Sequence, residues 1–247
     1  MSQLKEFRSG AAHGVVQSIQ IGRVQTHDGV AHDGTPTRPW TSAIVKAGVA
    51  GPVEVGPLGI LGDEQADLKH HGGPEKAILA YAAGHYAAWI EAYPKHGFAA
   101  GGFGENLTID GIAESDCCIG DVIRLGSTLL QVTQPRQPCW KLSRLLGIAQ
   151  FAVQVQNSGR TGWYLRVLET GRMSPGDEVT LIERPFSTFT VTYANAVMHG
   201  RPHVRDADLE LAACPALATS WQTTLRRRAA GEELPSPLRR LEGNAAQ

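Results

Sequence analysis

Short apolar stretches broken by glycine and proline fill the first three quarters of the chain, a pattern of many short strands. Gly14 to Gly22 contains Val15, Val16, Ile19 and Ile21 without a helix cap and predicts a first strand. Thr26 to Trp40 carries Asp28-Gly29, Asp33-Gly34 and two prolines, which makes it a turn or hairpin region. Ser42 to Lys46 predicts a short strand. Pro52 to Leu61 predicts a strand, a bulge and a strand at a barrel corner. Phe98 to Gly104 is glycine-rich and reads as flexible. Glu105 to Asp110 then alternates and ends in the hairpin signal Asp110-Gly111. Asp121 to Gly126, Thr128 to Gln134, Trp163 to Leu168 and Glu178 to Glu183 bring the count to roughly eight to ten strands.

Three helices interrupt these strands. Ile78, Tyr81, Ala82, His85, Trp89 and Ala92 fall at helical spacing, so a helix is expected from Pro74 to about Tyr93, stopped by Pro94. His85 lies inside that apolar stripe and reads as a core histidine. Trp140 to Gly147 and Ile148 to about Gln156 are shorter helices. Sustained strand–helix–strand alternation is missing, which argues against a doubly wound sheet. After Arg184-Pro185 the periodicity turns helical, over Thr190 to Met198, Asp206 to Ala213 and Ala216 to Ala230. The chain thus divides into a β domain over residues 1–186 and, over 187–247, a three-helix appendage dispensable for barrel folding. Arg226-Arg227-Arg228 reads as a solvated face favoured by the helix dipole. The polar tail from Glu232, with two prolines, reads as loose.

Composition narrows the function classes. The 247 residues are 42% hydrophobic, enough for a sizeable core. The formal net charge of -1, from 23 basic and 24 acidic residues, argues against a nucleic-acid partner but leaves room for a small basic pocket. Two of the four cysteines are adjacent and none forms a Cys-x-x-Cys pair, so neither a disulfide framework nor a zinc-finger spacing is present. A reducing compartment follows. The polar N-terminus and the absence of a long apolar run predict a soluble, cytoplasmic protein with no membrane partner.

Two stretches carry candidate chemistry. In Gln134-Pro135-Arg136-Gln137-Pro138-Cys139-Trp140-Lys141-Leu142, two prolines three residues apart exclude a helix interior and stiffen the backbone before Cys139. Arg136 adds positive charge, which favours the thiolate, the form that attacks electrophiles and binds metals. The alternative is that Cys139 is a small buried hydrophobe. Cys117 and Cys118, at a loop end, read as structurally buried. Earlier, Lys69, His70 and His71 lead into Gly72-Gly73 and Pro74. If Pro74 opens a helix, free N–H groups, the dipole and flanking cations make an anion site. An ordinary capped polar turn is the alternative. A metal site on His70 and His71 is disfavoured, since adjacent histidines share no helix face and no third ligand is evident.

Three motifs in this order carry a resemblance: Asp67-Leu68-Lys69-His70-His71-Gly72-Gly73, Phe103-Gly104-Glu105-Asn106-Leu107-Thr108, and Gln134-Pro135-Arg136-Gln137-Pro138-Cys139. Together they resemble the MOSC domain, named for the C-terminal domain of molybdenum cofactor sulfurase. With Ser158-Gly159-Arg160-Thr161-Gly162-Trp163 and the three C-terminal helices, the chain is similar to the YiiM type, the 6-N-hydroxylaminopurine resistance proteins. The resemblance implies a mainly β fold: a MOSC-type β-barrel with inserted helices plus a small C-terminal three-helix bundle. It implies a molybdenum cofactor (molybdopterin) with Cys139 as the metal's thiolate ligand, a role that suits a soft sulfur. The pterin phosphate needs donors and positive charge. Arg136, Lys69, His70, Asn106 and Arg160 are the candidates, with His71, Gly72 and Gly73 of the same motif beside them.

The implied activity is reduction of N-hydroxylated bases or amines to the amines. No flavin, nicotinamide or iron–sulfur motif appears, so electrons would come from a separate redox protein, a flavoprotein in class. The resemblance leaves room for a homodimer. Two other readings use the same residues. One is a module that carries the cofactor or a persulfide sulfur without reducing anything. The other is an anion-binding β domain with a structural cysteine.

Overall fold

The computed structural model describes residues 12–29, 34–35, 37–67 and 71–243. Its strands are β1 (Ala12–Ile21), β2 (Gln25–His27), β3 (Trp40–Ser42), β4 (Ala47–Gly48), β5 (Val53–Gly56), β6 (Gly59–Ile60), β7 (Ile78–Ala82), β8 (Leu107–Asp110), β9 (Val122–Leu125), β10 (Thr128–Pro135), β11 (Trp163–Glu169), β12 (Gly171–Met173) and β13 (Glu178–Glu183). Its helices are α1 (His85–Ala92), α2 (Trp140–Leu146), α3 (Phe151–Ser158), α4 (Val191–His199), α5 (Arg205–Ala212), α6 (Thr219–Ala229) and α7 (Leu238–Glu242). Among the described residues, no helix is long and apolar enough to cross a membrane.

Seven strands close a barrel in the order β13-β9-β10-β11-β7-β8-β1, with β1 pairing back onto β13. Closure leaves the ring without an open edge. Every pairing in it is antiparallel except β7 with β8. The ten-residue β1 is long enough to pair with β13 at its start, β8 in the middle and β4 at its end. Leu130 and Val132 of β10 both point into the core, as their alternation predicts, beside Ile123, Leu125, Trp163 and Leu165. The barrel and the three helices α4, α5 and α6 match the fold class that the sequence implies.

Several local expectations are corrected. The helix expected from Pro74 to Tyr93 is a three-residue 3-10 turn at Pro74–Lys76, then β7, then α1. All five residues of β7 are buried. A strand covered on both faces shows no alternation, and its apolar run also satisfies a helical stripe. In 42–46 only Ser42 is strand, because Lys46 turns inward to a buried ion pair with Asp63. Within 52–61 the break between strands is the tight turn of a β5–β6 hairpin, not a bulge. Asp110-Gly111 opens no hairpin, since β8 pairs with β1 and β7. The described residues hold thirteen strands, the additional ones being β7 and strands two or three residues long.

The segment 98–104 is a packed turn rather than a flexible one. Phe98 and Phe103 are buried among Tyr81, Trp89 and Phe151, and the Phe103 ring stacks on Tyr81 at 4.3 Å. Glu105 is fully buried and organises the turn. Its carboxylate accepts N–H bonds from Gly101 at 2.7 Å and Phe103 at 3.0 Å, a hydroxyl bond from Thr108 at 2.9 Å, and a short one from Tyr86. Gly104 adopts φ 74, and a Cβ there would meet Ile44 at 2.8 Å. Glu105→Ala would strand two buried amides and is expected to cost roughly 3–5 kcal/mol. Urea unfolding measures this, and a loss below about 1 kcal/mol would show that another group satisfies the turn.

His85 does find a partner, Glu114 at 2.6 Å, whose other oxygen accepts the Gly162 N–H at 2.7 Å. In α6, Arg228 is not solvated. It pairs with buried Asp208 and donates to the carbonyls of Val197 at 2.8 Å and Met198 at 2.9 Å. Val191, Ala194, Leu211, Leu217, Trp221 and Leu225 belong to the same hydrophobic core as the barrel strands. The core therefore runs across the 186/187 position. The tail expected to be loose contains α7, which packs on α2 and α3 with Leu241 buried.

Candidate functional site

β10 ends at Pro135, and the chain reaches α2 through Arg136 to Cys139 in extended form, with Cys139 at φ -127, ψ 165. Gly147 closes α2 in the left-handed conformation at φ 64, as glycine permits. Cys139 takes the N-cap position, 8% exposed, and its thiol lines a cavity at one end of the barrel. Burial pushes this thiol up. A hydrogen bond and charge from His71, the charge of Arg136 and the Lys141 amide outweigh it and bring it down to about 7. The other three cysteines go the opposite way. Burial, helped by Asp121, pushes Cys117 well up and Cys118 to about 11, and burial also raises Cys214. Cys139 alone among the four is poised as a thiolate near neutral pH.

The cavity has a narrow inner end and a wide outer end of about 630 Å³, in the size class of small-molecule sites. Cys139, His71, Lys76 and Tyr164 lie where the two meet. Arg136 enters the inner end. It is 5% exposed, Nη2 donates to the Phe103 carbonyl at 3.2 Å, and Nη1 has no partner among the described residues. Gln134, 2% exposed, lines the outer end, and its buried Oε1 likewise has no partner among the described residues. Both side chains line the cavity and each keeps one buried polar atom whose hydrogen-bonding capacity is unused. Tyr164 stays protonated, its hydroxyl pushed up to about 12 by burial.

The sequence candidates separate into distinct places. Cys139, His71, Arg136 and Asn106 line the one cavity. Asn106, however, is held by the protein itself. Its Oδ1 accepts the Leu79 N–H at 3.0 Å, and its Nδ2 donates to Asp63 at 2.9 Å and to the Gln20 carbonyl at 3.3 Å. It thereby orients Asp63, which pairs with Lys46, whose pKa burial lowers against that pairing. Gly72 and Gly73 line a different, shallow recess with Glu75, Arg166 and Thr219. The helix N-terminus on which their anion reading rested is absent, and an internal carboxylate occupies the recess. Glu75 accepts the Thr219 N–H at 3.0 Å and caps α6. Arg160 is not among the cavity's lining residues, and its guanidinium sits 5.7 Å over the Trp89 ring. Lys69 and His70 lie outside the described residues.

Sequence reasoning missed Lys46, Asp63, Lys76, Tyr164 and Arg240. None sits in a motif with its partners, and Arg240 lies in a polar tail without periodicity. Its guanidinium donates to the Pro138 carbonyl and to Gln156 at 2.6 Å, and burial lowers it to about 10.

The thiol shift has a direct readout. Alkylation of Cys139 in the unloaded protein should rise with pH through a midpoint near 7, because the folded pKa is depressed and the thiolate appears early. His71→Ala should move that midpoint upward. A midpoint at an ordinary thiol value in both proteins would remove the electrostatic account.

Residues 67–180 match the family described as the MOSC domain, and residues 189–231 match the YiiM-like, 3-alpha helix domain. The YiiM protein of Escherichia coli (strain K12) is 36% identical over 227 residues, spanning 91% of this chain and 97% of that one. A protein named reductase in Gibberella moniliformis (strain M3125 / FGSC 7600) is 35% identical over 191 residues, which is 76% of this chain and 33% of that protein. The crystal structure of YiiM from Geobacillus stearothermophilus superposes with a TM-score of 0.73 at 34% identity, covering 87% of this chain and 99% of that one. Barrel and C-terminal helices are thus those of one lineage, and the chain belongs to the MOSC-domain family in its YiiM-type, three-helix form.

Proposed function

We propose that this chain holds a molybdenum–pterin cofactor through Cys139 and reduces N-hydroxylated bases or amines to the corresponding amines. MOSC domains are associated with the molybdenum cofactor, and the reductase-named relative favours redox chemistry. The observation that carries the reading is a poised thiolate beside a buried, half-partnered arginine in a cavity of cofactor size. Among the described residues, no cluster of three or more His, Cys, Asp or Glu could hold a bare metal ion. That suits a metal arriving with most of its ligands, to which the protein adds one soft sulfur.

Cys139 would hold the metal. Arg136 and Gln134 bring an unused donor and an unused acceptor to the cavity wall, where the pterin would lie, and Lys141 and Arg239 add positive charge at the outer end. The bound molybdenum would supply two-electron transfer with removal of the substrate's oxygen. Converting N–OH to N–H this way consumes two electrons and two protons and releases water. His71, hydrogen-bonded to Cys139, stands where a proton can be passed into the cavity. Electrons come from a separate redox protein, a flavoprotein in chemical class, since the chain has no flavin or iron–sulfur motif. The test is metal content and turnover of an N-hydroxylated purine, with a reductant, on protein made in a cofactor-competent host. Bound molybdenum with amine formation is expected. Molybdenum without turnover would point to a carrier, and a folded, metal-free protein would sink both.

A further inference from the structure

Beyond α6 the chain turns back over the cavity. Pro235, Ser236, Arg239 and Arg240 line the outer end together with Cys139, and Gly243 lies against the Trp140 ring. Buried Leu241 holds α7 in place. Arg240 makes the connection to the site. One guanidinium nitrogen donates to the carbonyl of Pro138, the residue immediately before Cys139, and the other donates to Gln156 Oε1 on α3 at 2.6 Å. A planar fork with two donors ties the Cys139 segment to a neighbouring helix, which a lysine can do at only one end. These residues lie past the matched three-helix domain, which ends at 231.

We propose that Arg240 is a positioning residue for Cys139, so that the C-terminal segment is part of the site. The inference rests on Cys139 being the reactive group of the site, whatever reaction it serves. Its test therefore reads backbone and thiol rather than reduction.

The full chain is compared with Arg240→Gln, Arg240→Lys and, as a charge-loss control away from the cavity, Arg227→Gln. Amide hydrogen exchange at Cys139, Trp140 and Lys141 is followed at one pH. Alkylation of Cys139 by iodoacetamide and by a bulky maleimide is measured alongside. Arg240→Gln should speed exchange at these amides about tenfold, the effect of losing a charge-assisted hydrogen bond, and should let the bulky reagent approach the rate of the small one. Arg240→Lys should fall between, and Arg227→Gln should match the parent. Unchanged exchange and unchanged reagent discrimination in Arg240→Gln would overturn the proposal. If Arg240→Gln frees the whole segment 232–243, Arg240→Lys decides. Protection regained at 139–141 supports the role, and protection as low as in the glutamine variant overturns it.

Discussion

Cys139→Ser is expected to leave the barrel folded while reduction of N-hydroxylated substrates falls by at least about a hundredfold, more than loss of a supporting group costs. The substitution nearly keeps the volume of a residue that is 8% exposed, so packing around the start of α2 should survive and the melting temperature should shift by only a few degrees. The chemistry does not survive. The Cys139 thiol is held near 7 by His71, Arg136 and the Lys141 amide, and ionises readily. A serine oxygen in the same place is harder and far less acidic, a poor partner for a soft metal. Cys117→Ser, Cys118→Ser and Cys214→Ser should keep their activity per folded molecule, losing at most some stability through burial. If Cys139 were a structural hydrophobe the pattern would invert, with a lowered melting temperature and normal turnover by the molecules that remain folded. Measuring both quantities for all four variants separates the two, and full specific activity in Cys139→Ser would falsify the proposed site.

A chain ending at Arg184 is expected to lose cooperative unfolding. The composition break near Pro185 suggests an appendage the barrel can do without, but the continuous core gives the opposite expectation. Val191, Leu211, Leu217, Trp221 and Leu225 are buried with the barrel strands. Each buried side chain of this size contributes about 1.5–3 kcal/mol. Their sum is comparable with the whole stability of an ordinary domain, about 5–15 kcal/mol. Polar ties cross the same boundary. Ala218 donates its N–H to the Thr133 carbonyl at 3.1 Å, Arg166 donates to the Ala216 carbonyl at 3.0 Å, and Val191 donates to the Cys117 carbonyl at 2.8 Å. Circular dichroism and calorimetry on the shortened chain should show a broad, non-cooperative melt. A sharp transition with an enthalpy scaled to its length would show that the barrel folds alone.

Several elements were already determined by the amino-acid sequence. Glycine- and proline-punctuated alternation gave β1, β9, β10, β11 and β13 close to their observed limits. Helical periodicity with a clear stop gave α2, closed by Gly147, and the three helices α4, α5 and α6. Along part or all of their length these elements have one face in the core and one more exposed, so the pattern along the chain records their period. The stiff approach to Cys139 was equally legible, because proline restricts the backbone wherever it stands. Tertiary structure alone decided the rest. β7 hid inside a helical stripe because burial on both faces erases the alternation. The helix start that Gly72-Gly73-Pro74 promised became a short turn, because the next residues were needed as a barrel strand between β11 and β8. Within the site, Lys46 meets Asp63 across 17 positions and Arg240 meets Pro138 across 102. Such partners share no local period, and only the closing of the barrel and the return of α7 bring them to one cavity.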